Sequence, residues 1–160
     1  MTIDESIRDH VGRLLGWEDA HVGFDAAVAD VPSHMRATVP PGLSHSLWQL
    51  VEHIRITQHD ILDFCRNPDY EEMKWPDDYW PREPAPPSEA AWEESLSRAR
   101  ADRAALQQLA GDRSIDLGAR IPHGSGQTYL RELLLVADHT AYHVGQLVIV
   151  RQLLGIWKGR

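Results

Sequence analysis

Cysteine occurs once in this chain, at Cys65, so no internal disulfide can form and a reducing compartment is the expected setting. Long apolar runs are also scarce. The longest nearly apolar one, Leu133 to Val136, is far too short to cross a bilayer. Met1 is followed by the acidic, polar stretch Thr2 to His10, which is not the pattern of a secretory leader, so a cytoplasmic protein is expected. A dense basic stripe is lacking as well. Lys and Arg number 16 against 24 Asp and Glu, for a net charge of −8. Nucleic acid is therefore not an expected partner, because neutralising phosphates takes clustered cations. The run Arg98 to Arg103 is interrupted by Asp102 and reads as a solvated helix face.

What remains is ordinary globular material. A chain of 160 residues with 42% hydrophobic and 25% charged residues suits one domain, 1–160, around one core. Its periodicity predicts four helices. Ile3, Ile7, Leu14, Trp17, Phe24, Val28 and Val31 recur at threes, fours and sevens, which predicts a first helix from about Asp4 to Asp30. Gly12, Gly16 and Gly23 weaken its continuity and Pro32 ends it. A second helix is expected from Ser44, as N-cap, to Phe64, with Leu47, Leu50, Val51, Ile54, Ile61 and Leu62 on its apolar face. Pro68, Pro76, Pro81, Pro84, Pro86 and Pro87 then rule out a regular helix over 68–87. Trp75, Tyr79 and Trp80 suit a surface strap anchored by aromatics, with a lid over a site as the competing reading. Ser88 caps a third helix that ends at Gly111. After an irregular stretch from Asp112 to Gly126 with room for short extended pieces, a fourth runs from Thr128 to about Leu154. No series of alternating strands is visible. Four such helices predict an all-α four-helix bundle with a long Pro-rich connection between its second and third members.

Nine histidines stand out, and position decides which of them matter. His139 and His143 are four apart, so they leave one side of the last helix about 40° apart and one turn up. That spacing lets two imidazoles reach one ion. On a helical wheel they flank Val150 and adjoin Val136 and Leu147, at the edge of the apolar arc, where they point into a bundle. Buried there without a partner they would be costly. A catalytic zinc-type site takes three protein ligands and keeps one position open. His53, set among Leu50, Val51 and Ile54, is the best third ligand; a core histidine bonded to a carbonyl is the other reading. His45, at a helix start, and His10, His21, His34, His59 and His123 are assigned to capping or to the surface.

Several motifs are excluded. Thr140 stands where an H-E-x-x-H protease carries its Glu. Di-iron bundles need Glu-x-x-His pairs, none occurs, and Glu132 is the one acid on the histidine side of the last helix. There is no Cys-x-x-Cys, Gly-rich phosphate loop or Gly-x-Ser-x-Gly elbow, and Ser125 lies in the loop Gly124-Ser125-Gly126 without a preceding strand. Trp17, Phe24 and Trp48 could line a pocket but are assigned to the core.

Three segments resemble the DinB-like superfamily of bacterial four-helix proteins. They are Leu134 to Leu147, with its Asp138-His139-x-x-x-His143-x-x-Gln146 element; Ser46-Leu-Trp-Gln-Leu-Val-Glu-His53; and Leu14-Leu-Gly-Trp-Glu-Asp-Ala-His21. The resemblance implies a divalent ion, zinc or nickel, held by His53, His139 and His143. It also implies a homodimer with a small-molecule substrate, and in some relatives a low-molecular-weight thiol cofactor such as bacillithiol or mycothiol. Gln146 is the expected outer partner of the site, orienting His139. Three functions follow. A metal-dependent transferase that activates the thiol for attack on an electrophile comes first. A hydrolase using a metal-bound hydroxide and a non-catalytic metal-binding or interaction protein are the alternatives.

Overall fold

The computed structural model describes residues 1–16 and 18–159. Its helices are α1 (Ile3–Leu14), α2 (Phe24–Val28), α3 (Leu47–Arg66), α4 (Glu89–Gly111) and α5 (Tyr129–Leu153), with a 3-10 turn at Ser33–Met35. Among the described residues there is no strand, only an isolated antiparallel bridge between Arg120 and Thr128 in the irregular stretch before α5. The expected all-α bundle is therefore the observed one. α3 lies at its centre against α4 and α5; α1 packs on α4, and α2 on α5.

The first helix departs from expectation. It is two helices, because α1 stops at Leu14 and α2 starts only at Phe24, with Gly23 as N-cap. Glycine is a poor helix former, and here it also permits a tight fold-back: a Cβ on Gly23 would lie 2.5 Å from the Glu18 side chain. The buried face of α1 is Val11, continued by Leu15, while Ile3 is 82% exposed. Trp17, placed on this stripe by periodicity, lies outside the described residues. The bend lets α2 reach α5, where the buried Arg151 donates through Nη1 to the carbonyls of Ala26 (3.3 Å) and Ala27 (2.8 Å).

α3 begins at Leu47, two residues later than expected. Ser46 rather than Ser44 is its cap, in a reciprocal capping box: Ser46 Oγ accepts from Gln49 N and Gln49 Oε1 accepts from Ser46 N. The same two side chains hold the Pro-rich connection. Ser46 Oγ donates to the Pro84 carbonyl at 2.6 Å and Gln49 Nε2 donates to the Pro81 carbonyl at 3.1 Å. Further along, Asp60 accepts from the hydroxyls of Tyr70 (2.9 Å) and Tyr79 (2.7 Å). Burial and the Asp60 carboxylate push both phenols above the ordinary tyrosine range, so they stay donors. Ser46, Gln49, His53 and Asp60 recur at three, four and seven residues and so share one stripe of α3. The connection runs along it, fastened as a strap.

The apolar interior falls into two clusters. One holds Phe24, Val28, Leu47, Trp48, Leu50, Ile54, Trp92, Val144 and Val150; the other holds Val11, Leu15, Ile61, Leu62, Leu106, Leu133 and Val136. Phe24 and Trp48 are thus core residues, as expected. α5 belongs to both. By length and composition alone it would pass as a membrane span, with a mean hydropathy of 1.4 over its most apolar 18-residue window. In the fold it carries the buried polar residues Glu132, His143 and Arg151 and packs on α2 and α3.

The double duty of Ser46 makes it costlier to lose than an ordinary cap. Ser46→Ala removes a cap, typically worth about 1 kcal/mol, and leaves the Pro84 carbonyl short of a donor, about 1 kcal/mol more. Ser88→Ala removes only the cap of α4. Urea denaturation of both variants should show the larger loss at Ser46; equal losses would contradict the fastening.

Candidate metal centre

Between the two apolar clusters, three imidazoles meet. His53 comes from the middle of α3, and His139 and His143 come from one face of α5. One ligand atom from each lies within 4.8 Å of the other two. The Nε2 atoms of His53 and His139 are 3.0 Å apart. The His143 ring stands at 4.6 Å from that of His53 and 4.4 Å from that of His139, edge-on in both cases. His53 and His143 are buried, 1% and 6% exposed, and His139 is half-buried.

Neighbouring groups set which nitrogen of each ring is free. A carbonyl can only accept, so His53 Nδ1, 2.8 Å from the Tyr79 carbonyl, carries the proton and leaves Nε2 a bare lone pair. The same reasoning applies to His143, whose Nδ1 lies 2.7 Å from Gln146 Oε1. His139 Nδ1 is buried without a partner, so its remaining nitrogen, Nε2, is the one turned to His53. Burial, first of all, pulls the His53 imidazole down to about 4 and that of His139 down to about 3, and it lowers His143 as well. All three are neutral near pH 7, the form that binds metal. Four-coordinate zinc with Zn–N distances of about 2.0–2.1 Å separates its nitrogens by about 3.3 Å, close to the 3.0 Å seen here. The residues therefore fit a divalent cation.

The surroundings were only partly foreseen. Gln146 does orient a site histidine, but it meets His143, three residues away on the helix, and not His139. His53 is both candidate ligand and carbonyl-bonded core residue, so the two readings of it coincide. His45, assigned to capping or the surface, is neither: Ser46 is the cap. The His45 ring stacks on Trp80 at 3.9 Å, and the other face of Trp80 stacks on His53 at 3.7 Å and 8°. The strap thus walls the site with the indole of Trp80 and the carbonyl of Tyr79. No spacing in the sequence relates 45 or 80 to 53, because strap and helix meet only in the folded chain. His123, by contrast, bonds the Phe64 carbonyl, and His59 lies beside Asp102, both away from the three.

The nearby acids are engaged elsewhere. Glu52 pairs with Arg55 at 2.6 Å and accepts from Ser95 Oγ at 2.7 Å. Glu132, though buried, pairs with Arg131 at 2.6 Å, two turns before His139. A cavity of about 390 Å³ opens under the α1–α2 bend, among Leu15, Phe24, Ala137 and Val144; the three histidines do not line it.

The sequence model described as the DinB superfamily matches residues 17–147. No curated protein and no solved structure matches significantly.

Burial of neutral imidazoles has a pH signature. Unfolded histidines protonate near 6.5 and the folded His53 and His139 only near 4 and 3. Below about pH 6.5 the unfolded chain therefore binds more protons, and stability falls; above about pH 7 this contribution is complete. Metal-free protein should show a lower urea midpoint at pH 5.5 than at 7.5, and His139→Gln should flatten that dependence. An unaltered slope in the variant would contradict the burial assigned to His139.

Proposed function

This chain belongs to the DinB superfamily, and from its three converging imidazoles we propose that His53, His139 and His143 hold a divalent ion, zinc or nickel, in a transferase that uses a low-molecular-weight thiol of the bacillithiol or mycothiol type. When bound, such an ion supplies Lewis acidity, which favours a thiolate over a thiol at neutral pH. The chain's own part is preparation. The Tyr79 carbonyl and Gln146 Oε1 keep two ring protons on the outer nitrogens, and Trp80 shields one face of His53.

The observation that carries the reading towards thiol transfer is the commitment of the nearby carboxylates. Glu52 and Glu132 are each tied to an arginine, and Asp138, next to His139, is exposed. Hydrolysis calls for a positioned base to move protons. A thiol, with an ordinary pKa of about 8.5, asks for less help.

Purified protein should contain close to one equivalent of metal per chain, and His53→Ala, His139→Ala and His143→Ala should each abolish it. Gln146→Leu, which loses only an outer hydrogen bond, should weaken metal affinity by about 10- to 100-fold. Full metal content in all three alanine variants would overturn the ligand assignment. Metal-loaded protein given a thiol and an electrophile should form the thioether, and the alanine variants should not. Thiol-independent cleavage of esters or amides would instead establish a hydrolase.

A further inference from the structure

Away from the three histidines, a cleft of about 450 Å³ opens between α3, the strap, the loop before α5 and the first turns of α5. None of the three lines it. Its walls are already tied together. Tyr70 and Tyr79 of the strap donate their hydroxyl protons to Asp60 of α3. On the far side, His123 of the loop lies with Nε2 at 2.7 Å from the Phe64 carbonyl. Gly124 lets the loop come that close, since a Cβ there would stand 2.9 Å from Phe64 Cζ. A ligand would therefore find the cleft formed, and all of these residues line it.

One carboxylate in the lining is only half matched. Oε1 of Glu132 accepts from Arg131 Nη1 at 2.6 Å, whereas among the described residues its Oε2 has no hydrogen-bond partner. The Glu132 side chain is 4% exposed and that of Arg131 57%, so the cation answering this buried charge stands largely in water, where its attraction is weak. A buried carboxylate oxygen costs free energy until a donor reaches it. Asp60 and Glu72 add two further carboxylates to the lining, against Arg131 as its one Lys or Arg. The cleft is built for a cation.

The remaining walls say which kind. A metal ion needs several ligands at once, and among the described residues the one group of His, Cys, Asp and Glu side chains close enough to share an ion is the histidine triad. The cleft instead offers aromatic rings, which attract an ammonium group. Phe64 and Tyr70 stand at 5.1 Å and 68° to one another, and Tyr79 completes the wall. The two phenol oxygens, their protons given to Asp60, keep lone pairs that can accept from N–H groups.

We propose that this cleft binds a small primary ammonium compound, its N–H groups donating to Glu132 Oε2 and the phenol oxygens and its carbon part lying against Phe64 and Tyr70. The site is separate from the metal centre and does not rest on the reading of the three histidines.

Calorimetry on the full chain at neutral pH tests it with butylamine and with butanol, which has nearly the same shape and no charge. Butylamine should bind about tenfold or more tightly than butanol, the gain expected of a charge-assisted hydrogen bond. Glu132→Gln should bring butylamine down to the affinity of butanol. Arg131→Met withdraws the competing cation from an exposed position and should tighten butylamine binding, a gain that a damaged fold cannot imitate. Chelating any bound metal beforehand should leave these affinities as they are. Equal binding of butylamine and butanol, or an unaltered butylamine affinity in either variant, would overturn the site. Loss of butylamine binding on chelation would place the amine on a metal ion and overturn it as well.

Discussion

The main-chain carbonyl of Tyr79 accepts the Nδ1 proton of His53, and the site and the strap both depend on that one bond. An imidazole that is 1% exposed cannot leave its N–H unpaired without a penalty of about 1–3 kcal/mol. The bond therefore brings residue 79 to the helix and turns the lone pair of Nε2 towards α5. Trp80, the next residue, is thereby laid flat on the same ring. Further fastenings at Ser46, Gln49 and Asp60 along the same stripe of α3 make the strap's path a property of the helix surface rather than of the prolines.

The three histidines form a polar layer where the two apolar clusters would otherwise join. Leu50 and Ile54 flank His53 on α3 in one cluster, and Ile61 begins the other; on α5, Val136 and Val144 stand either side of the pair. This placement explains the chemistry of the rings. Apolar packing above and below fixes the separation of α3 and α5, and the same packing excludes the water that would let the imidazoles charge. Neutral donors held at fixed spacing are what a cation requires, and they are also a cost that the metal-free fold carries. Thr57 and Thr140, whose buried hydroxyls lack partners, lie at the same level of the bundle.

Much of this was readable from residue spacing. The boundaries of α4 and α5 follow from Ser88, Gly111, Thr128 and the apolar period, since caps and glycine stops act locally. The pairing of His139 with His143 is equally local, a consequence of 3.6 residues per turn. The first helical region is broken although its apolar period continues through the bend; glycine and the fold-back against Glu18 override the pattern. The partner of Gln146 is likewise not fixed by spacing alone. It can meet ring nitrogens at either neighbouring turn, and side-chain packing selects His143. His45 went unrecognised because its partner, Trp80, is 35 residues away on a segment without periodicity.

An all-α chain, its long helical regions, the inward pair His139 and His143 and a proline-rich connection that could not be helical are all written in residue order alone. Each of these is a matter of backbone propensity and of contacts within a few residues. That His53 completes the group, which tautomers the rings adopt and that His45 and Trp80 wall the site are outcomes of the folded chain. Those features come from α3, α5 and the strap approaching one another across long stretches of chain, where burial and hydrogen-bond satisfaction, rather than local period, select the arrangement.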